Sequence, residues 1–163
     1  MATEIERKFL VRSDEWRSLV RERVHMRQGY LSSGSRCSIR ARVAGDEAFL
    51  NLKAKRSGMT RAEYEYPIPR QDAEEILALC EGPLIEKYRH EIPLGKHVWE
   101  IDEFEGDNAG LIVAEIELDS EDEPFEHPSW LGEEVTHDER YYNFNLAKRP
   151  FHTWSDDPST EHD

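Results

Sequence analysis

Cysteine is scarce in this chain: only Cys37 and Cys80 are present. Two thiols cannot make a disulfide framework or a cysteine-rich zinc site, and both read as structural thiols. Long apolar runs are absent too. Met1 is followed by Ala-Thr-Glu-Ile-Glu rather than by a basic stretch and an apolar segment. Neither a signal peptide nor a membrane span is expected, and the expected setting is cytoplasmic. Basic residues are outnumbered, with 21 Lys and Arg against 35 Asp and Glu and a formal net charge of −14. Nucleic-acid binding needs a basic footprint, so that class is disfavoured. The deficit is local as well as global, because no Lys or Arg occurs between Lys96 and Arg140. Residues 1–56, in contrast, hold 13 Lys and Arg against 7 Asp and Glu. An anion site must therefore draw on the first half and the middle of the chain, and a cation site can draw on the later half.

What is present suffices for one folded domain: 163 residues, 37% hydrophobic and 34% charged, within the range of a single core. The dominant period is two, the strand signature. It predicts strands over 3–12, 23–32, 37–44, 47–56, 59–68, 84–92, 96–104 and 111–119. Short turns are expected at Ser32–Ser35, Gly45-Asp46, Ser57-Gly58, Pro93–Gly95 and Gly106–Gly110. Ser13 and Asp14 are N-cap candidates for a short helix through Trp16, Leu19 and Val20. Ala73, Ile76, Leu77 and Cys80 share one face of an amphipathic helix over 70–80, ended by Gly82-Pro83. Trp130-Leu131-Gly132 suggests a short helix and its stop, and 139–147 another. The fold class expected is mainly β (α+β): an eight-stranded antiparallel barrel with short flanking helices, which closes its own sheet edges. A domain over 1–150 is expected to precede an acidic, frayed tail over 151–163.

Full charges recur at i and i+2 with apolar or small residues between them. The series runs Glu4, Glu6 and Lys8; Arg40 and Arg42; Lys53 and Lys55; Glu63 and Glu65; Lys87 and Arg89; Glu100 and Asp102; Glu115 and Glu117. Charged faces are usually solvated outer surface, and on that geometry the apolar face would fill the barrel. The alternative points the charges into a water-filled tunnel and the apolar faces outward, under the helices. Segregation of sign by strand favours the tunnel, as does the helix over 70–80, which needs an apolar surface to cover. A tunnel of this composition suits metal–polyphosphate chemistry. Arg and Lys bind phosphoryl oxygens, and an oxygen-rich acidic cluster suits Mg²⁺ or Mn²⁺. A linear triphosphate carries roughly −4 to −5 at neutral pH, and one or two divalent cations would offset it. The histidines are scattered without ligand-like spacing.

Glu4-Ile5-Glu6-Arg7-Lys8 resembles the ExExK signature of the triphosphate tunnel metalloenzymes, the CYTH superfamily. The resemblance continues through Gln28-Gly29-Tyr30-Leu31 and the charged pairs above to Glu115-Ile116-Glu117. It implies an eight-stranded tunnel that binds a triphosphate and a divalent metal. By that resemblance Glu4, Glu6 and Glu117 are metal ligands, with Glu115 close by. Glu63, Glu65 and Asp102 serve a second metal or its water. Lys8, Arg40, Arg42, Lys53, Lys55, Lys87 and Arg89 bind phosphate, and Glu65, Lys8 and Lys87 are the catalytic candidates. Tyr141-Tyr142-Asn143 matches a helix that closes one tunnel mouth. The implied reaction is metal-dependent hydrolysis of inorganic triphosphate. Thiamine or nucleoside triphosphate hydrolysis, cyclisation of ATP, and polyphosphate binding without turnover stay open as alternatives. The partner expected is a small-molecule triphosphate, without nucleic acid or membrane, and a homodimer is left open.

Overall fold

The computed structural model describes residues 2–34, 36–55, 59–80 and 82–156. Among the described residues there are nine antiparallel strands, the first eight following the alternation: β1 (Ala2–Val11), β2 (Glu22–Ser33), β3 (Cys37–Ala44), β4 (Glu47–Ala54), β5 (Thr60–Pro67), β6 (Ile85–Leu94), β7 (His97–Phe104), β8 (Ile112–Glu117) and β9 (Leu131–Glu134). Their order is β5-β4-β3-β2-β6-β7-β8-β1-β9, and β1 also pairs with β5. That last pairing closes eight strands into a barrel through Ala2–Ile5 of β1 and Thr60–Glu63 of β5. Beyond Ile5 the same edge of β1 is taken over by β9, which pairs with Phe9 and Val11. The turn expected at Ser57-Gly58 lies outside the described residues, as does Ser35.

The core lies outside the barrel wall, in patches. The helix α1 (Arg70–Leu79) buries Ala73 and Leu77 against Ala41 and Val43 of β3 and Ala48 of β4. These wall residues alternate with Arg40 and Arg42, so the apolar face of β3 points out and the cationic face points in. On the opposite wall Phe9, Trp99, Ile101 and Ile116 pack with Trp16 from a 3-10 turn over Glu15–Leu19 and with Trp130. A third patch joins Ile85, Phe104 and Val113 to Tyr141, Leu146 and Trp154 from the C-terminal segment. That segment is a 3-10 turn over Glu139–Tyr141, the helix α2 (Asn143–Lys148) and a 3-10 turn over Phe151–Asp156. Among the described residues no helix is long and apolar enough to cross a membrane.

Two expectations change. The short helix expected at Trp130-Leu131-Gly132 is strand β9. Gly132 serves close approach rather than helix termination, since a Cβ there would lie 2.8 Å from the Leu10 carbonyl oxygen. The start of the expected acidic tail is folded: Trp154 is buried, and its indole N–H donates to the Arg149 carbonyl at 3.1 Å. An indole needs both apolar cover and an acceptor, and the third patch offers both. The remainder of the tail, 157–163, lies outside the described residues.

Candidate active site

Inside the barrel is a cavity of about 1020 Å³. Its wall carries Glu4, Glu6, Lys8, Arg40, Arg42, Lys53, Lys55, Glu63, Glu65, Lys87, Arg89, Glu115 and Glu117. The tunnel geometry is therefore the one adopted. Antiparallel register sets the neighbours on each face. Glu6 faces Glu117 and Lys8 faces Glu115. Glu115 faces Glu100 in turn, Lys53 faces Glu63 and Asn51 faces Glu65. Carboxylates of β1, β7 and β8 thus crowd together, while β3 and β6 present cations, with Arg89 of β6 reaching Glu100 at 3.4 Å and Glu115 at 3.8 Å.

The acidic wall is held in a high-energy state. Burial and the neighbouring Glu115 push the Glu6 carboxyl well above the usual carboxylate range. Glu117 is raised as well, by burial and then by Glu4, Glu100 and Glu63. Burial opposes ionisation of Glu4, but Lys53 at 3.3 Å and Arg61 at 3.1 Å outweigh it and hold the carboxyl low. Glu115 is also held low against burial, with Lys8 at 2.9 Å. Like charges in such proximity need a cation to be tolerated. The donor set is all oxygen, which fits Mg²⁺ or Mn²⁺. Among the described residues, no three acidic, His or Cys side chains already surround a common point.

The cationic wall is under-compensated. Arg40 is buried, makes no ion pair among the described residues, and leaves its Nε–H without an acceptor. Arg42 donates from Nε to Gln28 Oε1 at 3.3 Å, and burial together with Arg40 and Arg89 disfavours its charge. Lys87 is almost fully buried, and desolvation lowers its amine to about 7 despite the carboxylate of Asp102. Unpaired buried cations cost several kcal/mol each unless an anion joins them.

Most of the expected residues meet in the tunnel, with three qualifications. Asp102 is fully buried behind the cations, taking Lys87 at 2.7 Å and Arg89 Nε and Nη2 at 2.8 and 2.9 Å. Both of its oxygens are committed, so it holds cations rather than facing the cavity. Lys55 lies one residue past β4 and is exposed, at the rim. Glu65 is also exposed and accepts the Asn51 amide at 2.8 Å. Sequence reasoning missed Arg61, which braces Glu4, and Asn51, and it gave no hydrogen-bonding role to Gln28 and Asn143, named only within the resemblance. Arg61 shares the period-two face of Glu63 and Glu65, and that alternation was the available signal. Neutral amides stand out from no charge pattern.

The CYTH domain family profile matches residues 2–150. An inorganic triphosphatase of Acetivibrio thermocellus is 47% identical over 152 residues, covering 93% of this chain and 97% of the relative. An inorganic triphosphatase of Nitrosomonas europaea is 41% identical over 150 residues, covering 89% and 97%. The crystal structure of an inorganic triphosphatase superposes with a TM-score of 0.63 at 39% identity, covering 90% of this chain and 95% of the other.

Proposed function

The chain belongs to the CYTH domain family, and on that basis we propose that it hydrolyses inorganic triphosphate to pyrophosphate and orthophosphate with the help of a divalent metal ion. One observation carries the reading: a charged tunnel in which buried Arg40 has no ion pair among the described residues while buried carboxylates repel one another. A triphosphate with a cation satisfies both walls at once. Neither ligand does so alone.

Glu4, Glu6, Glu115 and Glu117 would hold the ion, Mg²⁺ or Mn²⁺, with Glu63 at the rim for a second. When bound, the metal supplies charge neutralisation and Lewis-acid polarisation of phosphoryl oxygens. Arg40, Arg42, Lys53, Lys87 and Arg89 fix the phosphate chain along the tunnel, with Lys55 at its entrance. Lys8, ion-paired to Glu115 at 2.9 Å, links the acidic side to the substrate. Asp102 acts through Lys87 and Arg89 by fixing their heads. A water oxygen attacks the terminal phosphorus, and the bridging P–O bond breaks. The electron pair leaves with pyrophosphate, and Glu65 accepts the proton of the water. Phosphoryl transfer asks mainly for positioning and charge stabilisation, which the cationic wall provides.

The test is orthophosphate release from tripolyphosphate, ATP and thiamine triphosphate, each with Mg²⁺, Mn²⁺ or EDTA. Metal-dependent release that strongly favours tripolyphosphate is expected. Pyrophosphate from ATP without orthophosphate would instead identify a cyclase. Tight calorimetric binding of tripolyphosphate with no release would identify a binding module.

A further inference from the structure

Asn143 connects the C-terminal segment to the cationic wall. Asn143, the first residue of α2, places a single carbonyl oxygen between two donors. Lys87 Nζ reaches Asn143 Oδ1 at 3.1 Å, and Gln28 Nε2 reaches the same atom at 3.2 Å. Gln28 is fully buried and spends its own carbonyl oxygen on Arg42 Nε at 3.3 Å. Arg42 can only donate, so the orientation of the Gln28 amide is fixed, and that in turn fixes the Asn143 amide. Flipping either amide would set donor against donor. A continuous chain results: Arg42 to Gln28 to Asn143, with Lys87 joining at Asn143 and continuing to Asp102 and Arg89.

A lysine ammonium is a point charge on a flexible stem with three rotatable donors. Two partners on different elements, Asp102 from β7 and Asn143 from α2, fix where the third N–H points. Asp102 alone would leave the head free to swing about that bond. The segment that carries Asn143 is itself anchored. Tyr142 Oη donates to the Thr136 carbonyl at 2.9 Å, Asn145 Nδ2 donates to the Glu139 carbonyl at 2.8 Å, and Leu146 is fully buried. Thr136 in turn accepts the backbone N–H of Lys8 at 3.0 Å.

We propose that Asn143 is a positioning residue: its carbonyl oxygen aims the Lys87 ammonium, and through Gln28 the Arg42 guanidinium, into the tunnel, so that docking of α2 completes the anion-binding wall. The role in catalysis rests on the triphosphatase reading, whereas the orienting contact itself does not. Asn143→Leu keeps the shape and removes the acceptor, and Asn143→Asp keeps an acceptor. Kinetics with tripolyphosphate would be read beside the ¹⁵Nζ NMR signal of Lys87, which is visible only while the buried ammonium is held by hydrogen bonds. For Asn143→Leu we expect KM to rise about 10-fold, the scale of one hydrogen bond to a charged group, with kcat changed less, melting temperature lowered by a few degrees because the buried Gln28 amide loses its acceptor, and the Lys87 signal shifted. Asn143→Asp should keep the signal and a KM closer to wild type. Equal KM in Asn143→Leu and wild type, or an unshifted Lys87 signal in Asn143→Leu, would overturn the proposal. If wild-type protein neither binds nor hydrolyses tripolyphosphate, the triphosphatase reading fails, and the Lys87 signal in the two variants still decides the contact.

Discussion

Asp102 shows how one carboxylate governs a site it does not line. Its two oxygens receive Lys87 and a bidentate Arg89, all three groups being buried. Truncating one partner of such a cluster leaves charge without compensation, which typically costs about 3–5 kcal/mol. Asp102→Ala is therefore expected to lose stability on that scale in urea denaturation and to lose triphosphate affinity with it. The same residue sets an acid limit. Burial would raise its carboxyl, but Arg89 and Lys87 overrule burial and depress it from the usual 3.8 to about 2. A depressed carboxyl contributes stability that is complete above its unfolded value and lost as pH falls toward its folded one. Melting temperature should thus fall between about pH 4 and pH 2 in wild type, and Asp102→Asn should flatten that slope; an unchanged slope would remove Asp102 from the account. Glu6 acts by the opposite logic, as a carboxylate made costly by burial and then by Glu115. Glu6→Gln keeps the volume and removes one anionic oxygen, so kcat should fall by at least about 100-fold with the fold intact. Full activity at saturating metal would show that Glu6 holds no ion.

At the scale of elements, legibility depended on length and on what alternated. The eight barrel strands run six residues or more, and each shows its two faces in the sequence. The charged pairs therefore announced both the strands and the tunnel they line. β9 has four residues and shows no such period. Its identity comes from a tertiary fact, the free edge of β1 beyond its pairing with β5. Gly132 is read correctly only once that edge is known. Gly132→Ala drives a Cβ toward the Leu10 carbonyl, and the obstacle is backbone that cannot rotate away. A loss of about 1–3 kcal/mol is expected, with faster amide exchange at Val11 and Val135 and little change in kcat. Wild-type stability would mean that β9 can shift away from β1 at negligible cost. The C-terminal segment was hidden for a related reason. The acidic composition of 151–163 suggested a frayed end, but Trp154 belongs to the patch formed by Ile85, Phe104 and Val113. The hydrogen bond between Gln28 and Asn143 was not legible, because hydrogen-bond networks carry no period.

The whole molecule is an inverted barrel, with its apolar surface outside under helices and turns and its charge within. Such an interior is stable only insofar as opposite charges meet, and here some do not. Arg40 lacks a counter-ion among the described residues, while Glu117 is raised first by burial and then by three neighbouring carboxylates. Folding therefore keeps unsatisfied electrostatic energy of both signs inside one cavity, and ligand binding releases it. Divalent metal alone relieves the acidic wall but leaves the cations, and tripolyphosphate alone does the reverse while meeting repulsion from the carboxylates. The two together should stabilise by more than the sum of their separate effects. A ligand at about 100 times its Kd adds about 2.7 kcal/mol to unfolding, enough to read as several degrees. Differential scanning calorimetry of wild type with Mg²⁺, with tripolyphosphate plus EDTA, and with both separates these terms, with Glu65→Gln, which lacks the proposed proton acceptor, scanned in parallel to control for hydrolysis. A melting gain from tripolyphosphate that EDTA does not diminish would mean that the acidic wall plays no part in binding, and the metal would have to be assigned elsewhere.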